Sequence, residues 1–194
     1  LMMGTGTRII ATEKIHSQGN MISTENALDL AITGRGFFQI QQADGTFSYT
    51  RDGSFKLNDQ GQVVTANGQL LVPALTIPVN AGSLTVGRDG TVDAELEAGA
   101  GKVTLGQIQV ARFVNEAGLQ PMGRNLYRET TASGTVEIGI PGLAGIGEVM
   151  QGALEASNVN VVEEMVNMIE TQRAYEVNSK AVSYTHLRAH ETRH

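Results

Sequence analysis

Cysteine and tryptophan are absent from this chain, and aromatic residues of any kind make up only 5% of it. Without cysteine there is no disulfide framework, no thiolate metal ligand and no thiol nucleophile. The absence leaves the compartment open, because a thiol-free chain suits oxidising and reducing surroundings equally. Scarce aromatics argue against a carbohydrate surface, which usually needs ring platforms. Clustered positive charge is missing too: 14 Lys and Arg stand against 20 Asp and Glu, a net charge of −6. Phosphate binding depends on basic clusters that release counterions, so nucleic acid is not expected as a partner. No apolar run approaches the roughly 18 residues that a helical span needs, and no membrane insertion is expected.

What the chain has in excess is glycine, 23 of 194 residues, against a usual share of about 7%. That length allows one sizeable domain and a smaller second element. Residues 1–33 show weak periodicity, with Gly4, Gly6 and a Gly19-Asn20 turn signal, and read as an extended connector. Leu1 opens in mid-pattern, from which a fragment with residues upstream is expected. From Gly34 onward short alternating runs are separated by Asx-Gly signals: 37–41, 46–50, 54–57, 63–65, 70–72, 84–86, 91–96 and 106–114. Strands at this spacing predict a mainly β, Gly-turn-rich domain over 34–138, sandwich-like or barrel-like. Its Asp-Gly and Asn-Gly pairs predict type I′ turns, where positive φ makes a Cβ costly. Residues 139–159 open with four glycines and a proline in 139–147 and read as a connector.

Beyond it the period changes. Asn160 is a good N-cap with Glu163 in capping-box register. Val161, Met165, Met168, Gln172, Tyr175, Ser179 and Val182 recur at spacings of four and three, one seam of a coiled-coil-type amphipathic helix over 160–183. Val162, Val166 and Ile169 flank that seam, giving the first half of the helix a wide apolar face that must bury against something. An isolated helix of this length is marginal in water, so 160–183 is expected to be loosely held when unpartnered.

Catalytic constellations are poorly supported. His16 is the one histidine before the last eleven residues, and no Gly-x-Ser-x-Gly elbow is present. Paired carboxylates such as Asp89 with Asp93, or Asp52 with Asp59, sit beside turn glycines, where they ordinarily bond the local backbone. Neither Gly34-Arg35-Gly36 nor 142–147 has phosphate-loop spacing, and Asp59-Gln60-Gly61 lacks the acids of a calcium loop. His186, His190 and His194, four apart, could present three imidazoles on one helix face. The 184–194 segment nevertheless abandons the apolar seam and reads as an atypical tail of foreign origin. The expectation is therefore a chain that is not an enzyme and uses no cofactor and no metal.

Longer motifs carry a resemblance. The stretches 152–166 (GALEASNVNVVEEMV) and 168–180 (MIETQRAYEVNSK) are similar to the C-terminal signature of the bacterial flagellar rod and hook protein family. The stretches 28–40 (LDLAITGRGFFQI) and 49–55 (YTRDGSF) resemble the start of that family's β domain. Length and the insert after Asn67-Gly68 are most similar to the distal rod branch, with other rod or hook subunits as the alternative. The resemblance implies a structural subunit of a torque-transmitting drive shaft in the periplasmic part of the flagellar basal body. It also implies unfolded export through the flagellar type III apparatus, helical self-polymerisation, and contact with neighbouring rod and hook subunits and surrounding ring proteins. By the same resemblance the family's N-terminal helix is missing here. The expected assembly interface is Val161, Val162, Met165, Val166, Met168, Ile169, Gln172 and Tyr175. A different class, a secreted β-sandwich binding module with the helix as a stalk, would need exposed ring platforms.

Overall fold

The computed structural model describes residues 8, 10, 14–96 and 101–191. The chain divides into two units, 1–157 and 158–194. In chain order the strands of the first unit are β1 (Met21–Ser23), β2 (Leu30–Thr33), β3 (Phe37–Gln41), β4 (Phe47–Thr50), β5 (Phe55–Leu57), β6 (Val63–Thr65), β7 (Leu70–Val72) and β8 (Ala81–Val86). They continue with β9 (Thr91–Leu96), β10 (Lys102–Gln107), β11 (Val110–Arg112), β12 (Gln120–Gly123), β13 (Leu126–Arg128), β14 (Glu137–Gly139), β15 (Glu148–Gln151) and β16 (Ala153–Glu155). The second unit carries one helix, α1 (Val161–Glu191). The fold is mainly β with a C-terminal helix, as the glycine-punctuated alternation predicts.

The largest sheet runs β12-β13-β4-β3-β7-β6-β5, with β11 also joining β3 and β14 joining β11, and it curls as a half-barrel. β8, β9 and β10 form a second sheet, and the pairs β15-β2 and β1-β16 complete the unit. At the centre β3 is buried on both faces, because successive side chains of a strand point to opposite sides. Phe38 joins the main core with Ile40, Leu71, Val92, Ile108 and Val149, its ring edge-on to Phe55 at 5.2 Å. Phe37 faces a second core with Tyr49, Ala111, Phe113 and Leu119. Of the aromatics in the alternating run 46–50, Tyr49 is buried, whereas Phe47 stays 47% exposed at the end of its strand.

The turn chemistry differs from the type I′ expectation. In the loops 42–46, 58–62, 65–69 and 87–91 the glycine N–H donates three residues back: Gly45 to Gln42, Gly61 to Asn58, Gly68 to Thr65, Gly90 to Gly87. Only the glycine takes positive φ, at 83°, 75°, 79° and 80° respectively, while Asp44, Gln60, Asn67 and Asp89 do not. Each is a type I turn followed by a left-handed glycine bulge, a three-residue hairpin loop. The two consecutive non-glycine residues with positive φ are Arg124 (53°) and Asn125 (60°), between β12 and β13. That is I′ geometry without a glycine signal.

Both connectors prove more structured than their composition implies. Within 1–33, β1 and β2 are strands, and within 139–159, β15 pairs with β2 while β16 pairs with β1. The glycine-rich stretch is a tight turn, with Leu143 N–H donating to Ile140 and Ile146 N–H to Leu143. It packs on the other glycine-rich stretch: a Cβ on Gly34 would lie 3.1 Å from the Gly147 Cα, and Gly147 N–H donates to Arg35 at 2.8 Å. Two backbones cross here with no room for side chains. The helix also runs to Glu191 rather than stopping at 183, so residues 184–191 of the atypical tail are helical. Leu187, Arg188, Ala189 and Glu191 are all good helix formers.

Gly53 illustrates how close such approaches become. A Cβ there would fall 1.5 Å from the Leu30 carbonyl oxygen, while Gly53 itself accepts from Leu30 N–H at 3.0 Å. Gly68, by contrast, faces open space and carries only a positive φ. Gly68→Ala should cost about 1–2 kcal/mol, the left-handed penalty of a Cβ. Gly53→Ala should cost well beyond that because backbone must shift. Urea unfolding of both variants checks the ranking, and equal losses would contradict it.

Candidate assembly surface

The helix begins where the cap residue predicts. Asn160 Oδ1 accepts from Val162 N–H at 3.2 Å and its carbonyl accepts from Glu164 N–H at 3.0 Å. Glu163 and Glu164 place negative charge in the first turn, favourable to the helix dipole. Thr171 Oγ1 donates back to the Asn167 carbonyl at 2.8 Å, so that hydroxyl is satisfied within the helix. All eight residues expected at the interface lie on this one helix and all are exposed. Met165 is 58% exposed, Met168 61% and Tyr175 75%. Val162, Val166 and Ile169 extend the same apolar surface along the first three turns. Large exposed apolar patches rimmed by polar residues are a general feature of interaction surfaces.

The strands that lead toward this helix are tied down at one point. Glu155, at the end of β16, accepts from Gly19 N–H through Oε1 at 2.8 Å and from Arg51 Nε through Oε2 at 2.8 Å. Arg51 spends its remaining donors on backbone carbonyls: Nη1 on Gly36 at 3.2 Å, Nη2 on Gly34 at 3.1 Å and on Ile32 at 3.4 Å. The ion pair is largely shielded, the two side chains being 16% and 11% exposed. Sequence reasoning missed this pair, although both residues fall inside the family-like stretches 49–55 and 152–166.

Three of the four acids considered for catalysis, Asp89, Asp93 and Asp52, have structural partners. Asp89 accepts from the Thr91 hydroxyl and N–H at 2.7 and 3.1 Å, and these bonds hold its carboxyl below the usual range. Asp93 is held low by Lys102 Nζ at 2.8 Å, then by Thr104. Asp52 accepts from Ser54 N–H and hydroxyl at 3.0 and 2.6 Å. Asp44 is held low by Thr46 in the same way. Burial, with Glu129 adding repulsion, pushes the Tyr49 phenol up to about 12. His194, of the spaced histidines, lies outside the described residues, as do the side chains of His186 and His190.

His16 packs instead on the second core. Its ring meets Tyr127 at 5.3 Å and Phe37 at 5.9 Å, edge-on in both cases, and its Nε2 is buried without a hydrogen-bond partner. Lys14 Nζ sits 5.4 Å from the Tyr127 ring centre and the Arg51 guanidinium 5.9 Å from that of Phe37. Desolvation lowers the imidazole below 6.5, against the attraction of Glu116.

Two family models match the chain. The flagellar hook protein FlgE/F/G D1 domain covers residues 31–94, and the flagellar basal body rod FlgEFG protein C-terminal region covers 150–185. Over 183 residues the chain is 50% identical to the flagellar basal-body rod protein FlgG of Buchnera aphidicola subsp. Schizaphis graminum, covering 94% of the chain and 70% of that protein. Identity to FlgG of Borreliella burgdorferi is 46%, over 93% of the chain and 69% of that protein. For FlgG of Bacillus subtilis it is 40%, over 93% and 70%.

The His16 environment sets a pH dependence with a definite sign. Because folding lowers the imidazole pKa, the unfolded state binds more protons, and stability rises with pH. The docking of residues 14–18 should be complete above pH 6.5 and weaken as pH falls below that value. An NMR titration of the His16 ring checks this, and a midpoint above 6.5 would refute it.

Proposed function

We infer, from a chain that belongs to the flagellar basal-body rod protein family of FlgG type, that its task is mechanical: it is a structural subunit of the distal rod of the flagellar basal body. A shaft that transmits torque must be stiff and must be built from heterologous contacts that continue rather than close. The observation that carries this reading is α1, a 31-residue helix whose apolar seam is exposed from Val161 to Val182. A helix in a protein draws most of its stability from packing, and this one gains about 1.5–3 kcal/mol for each large apolar side chain that a neighbour buries.

In this reading Val161, Met165, Met168, Gln172 and Tyr175 form the seam between helices of adjacent subunits, and Val162, Val166 and Ile169 supply a second contact in a packed inner tube. The β unit faces outward, toward the surrounding ring proteins. The subunit polymerises with itself and meets other rod and hook subunits at the two ends of its segment. Its place is the periplasmic span of the basal body, which it reaches unfolded through the flagellar export apparatus. No catalytic step is needed.

Deleting the full-length gene should leave truncated rods without hooks in electron micrographs of basal bodies, and the intact gene should restore them. Complete rods and hooks in the deletion strain would reject the distal rod role. Met168→Glu in the full-length protein should leave the β unit folded yet abolish rod assembly, since a carboxylate cannot be buried unpaired in the seam. Normal rods would sink the seam assignment alone.

A further inference from the structure

β16 is the last strand before α1. β1 pairs with β16 over only three residues, Met21↔Glu155 to Ser23↔Ala153, in a two-stranded sheet of its own. A pair this short is not stable by itself. Backbone bonds flank it, from Ala156 N–H to Asn20 at 2.8 Å and from Thr24 N–H to Gly152 at 2.8 Å. Neither bond reaches the large sheet. Glu155 adds a side-chain link that does.

Resting on the rod reading, we propose that Glu155, gripped by Arg51 and Gly19, is the coupling residue that makes the β1–β16 pair move as one body with the large sheet. Its two carboxylate oxygens are divided between the chain arriving at β1 and the guanidinium standing on the large sheet. Arg51 follows directly on β4, and its other donors hold the carbonyls at the end of β2 and in the turn before β3. One charged pair thereby ties together segments near residues 19, 34, 51 and 155. Glu155 lies six residues before Val161, so the chain enters α1 directly from this junction. With both side chains shielded from water, the pair is screened little by salt and is costly to break from one side only. The planar fork of arginine suits the task because it can hold a carboxylate and several carbonyls at fixed angles at once, which an ammonium cannot.

The test uses amide hydrogen exchange on this chain with Glu155→Gln, and with Arg51→Lys as a second variant that keeps the charge but loses the fork. Exchange at residues 19–24 and 153–156 should quicken roughly tenfold or more, since opening becomes local. Amides of β3, β4 and β7 should lose far less protection than those of the junction. No change at the junction, or a uniform rise through the large sheet, would overturn the coupling. In cells whose sole full-length copy carries Glu155→Gln, hooks should form in normal number while rotation slows at high load. Unchanged rotation at high load would likewise overturn the coupling role. The exchange arm requires no rod, so its outcome is separable from failure of the distal rod reading.

Discussion

The β unit is organised around a strand that has nowhere to be wet. β3 packs Phe37 against one core and Phe38 against the other, and along its edges it pairs with β4 on one side and with β7 and β11 in succession on the other. This double burial forces the neighbouring chain to come close. At Gly36, which precedes the strand, a Cβ would fall 2.3 Å from a methyl of Val110. Glycine there is a condition of β11 reaching β3, and the second core, with Phe113 edge-on to both Phe37 and Tyr49, follows from that contact.

Much of this was legible in the sequence, and the limits have physical causes. Runs that pair with their nearest neighbours through a glycine loop, such as 37–41 with 46–50 or 84–86 with 91–96, announce themselves by alternation. Turn positions were legible as well, but not turn types: an Asx-Gly pair suits either a two-residue I′ loop or a type I turn with a left-handed bulge, and loop length decides between them. β1, β2, β15 and β16 escaped because no short glycine loop joins them to their partners. Their partners also lie more than a hundred residues away, as in Met21↔Glu155. The helix was legible through its cap and its seam, whereas its end was obscured by a break in apolar pattern that does not break helicity.

The candidate site divides in the same way. Residues on one helix face are adjacent in the sequence pattern, so the seam from Val161 to Tyr175 could be read directly. The Arg51–Glu155 pair could not, because its partners are 104 residues apart and each is an ordinary charged residue in its own neighbourhood. The glycines at 34 and 147 posed a related difficulty. Each looked like a loop residue, and only the crossing of the two backbones reveals that they are partners. The β unit has two cores of its own, and α1 carries exposed apolar side chains.

The hairpin loops separate two kinds of glycine. Gly61 and Gly90 are pressed against the carbonyls of Ile77 and Ile108, whereas Gly45 and Gly68 have no heavy atom within 4 Å of where a Cβ would stand. The tips at Gly45 and Gly68 consequently have open space where those at Gly61 and Gly90 have none. A peptide epitope or a small fluorescent label spliced into either tip would leave both cores and the β1–β16 junction untouched, offering a handle for following single subunits.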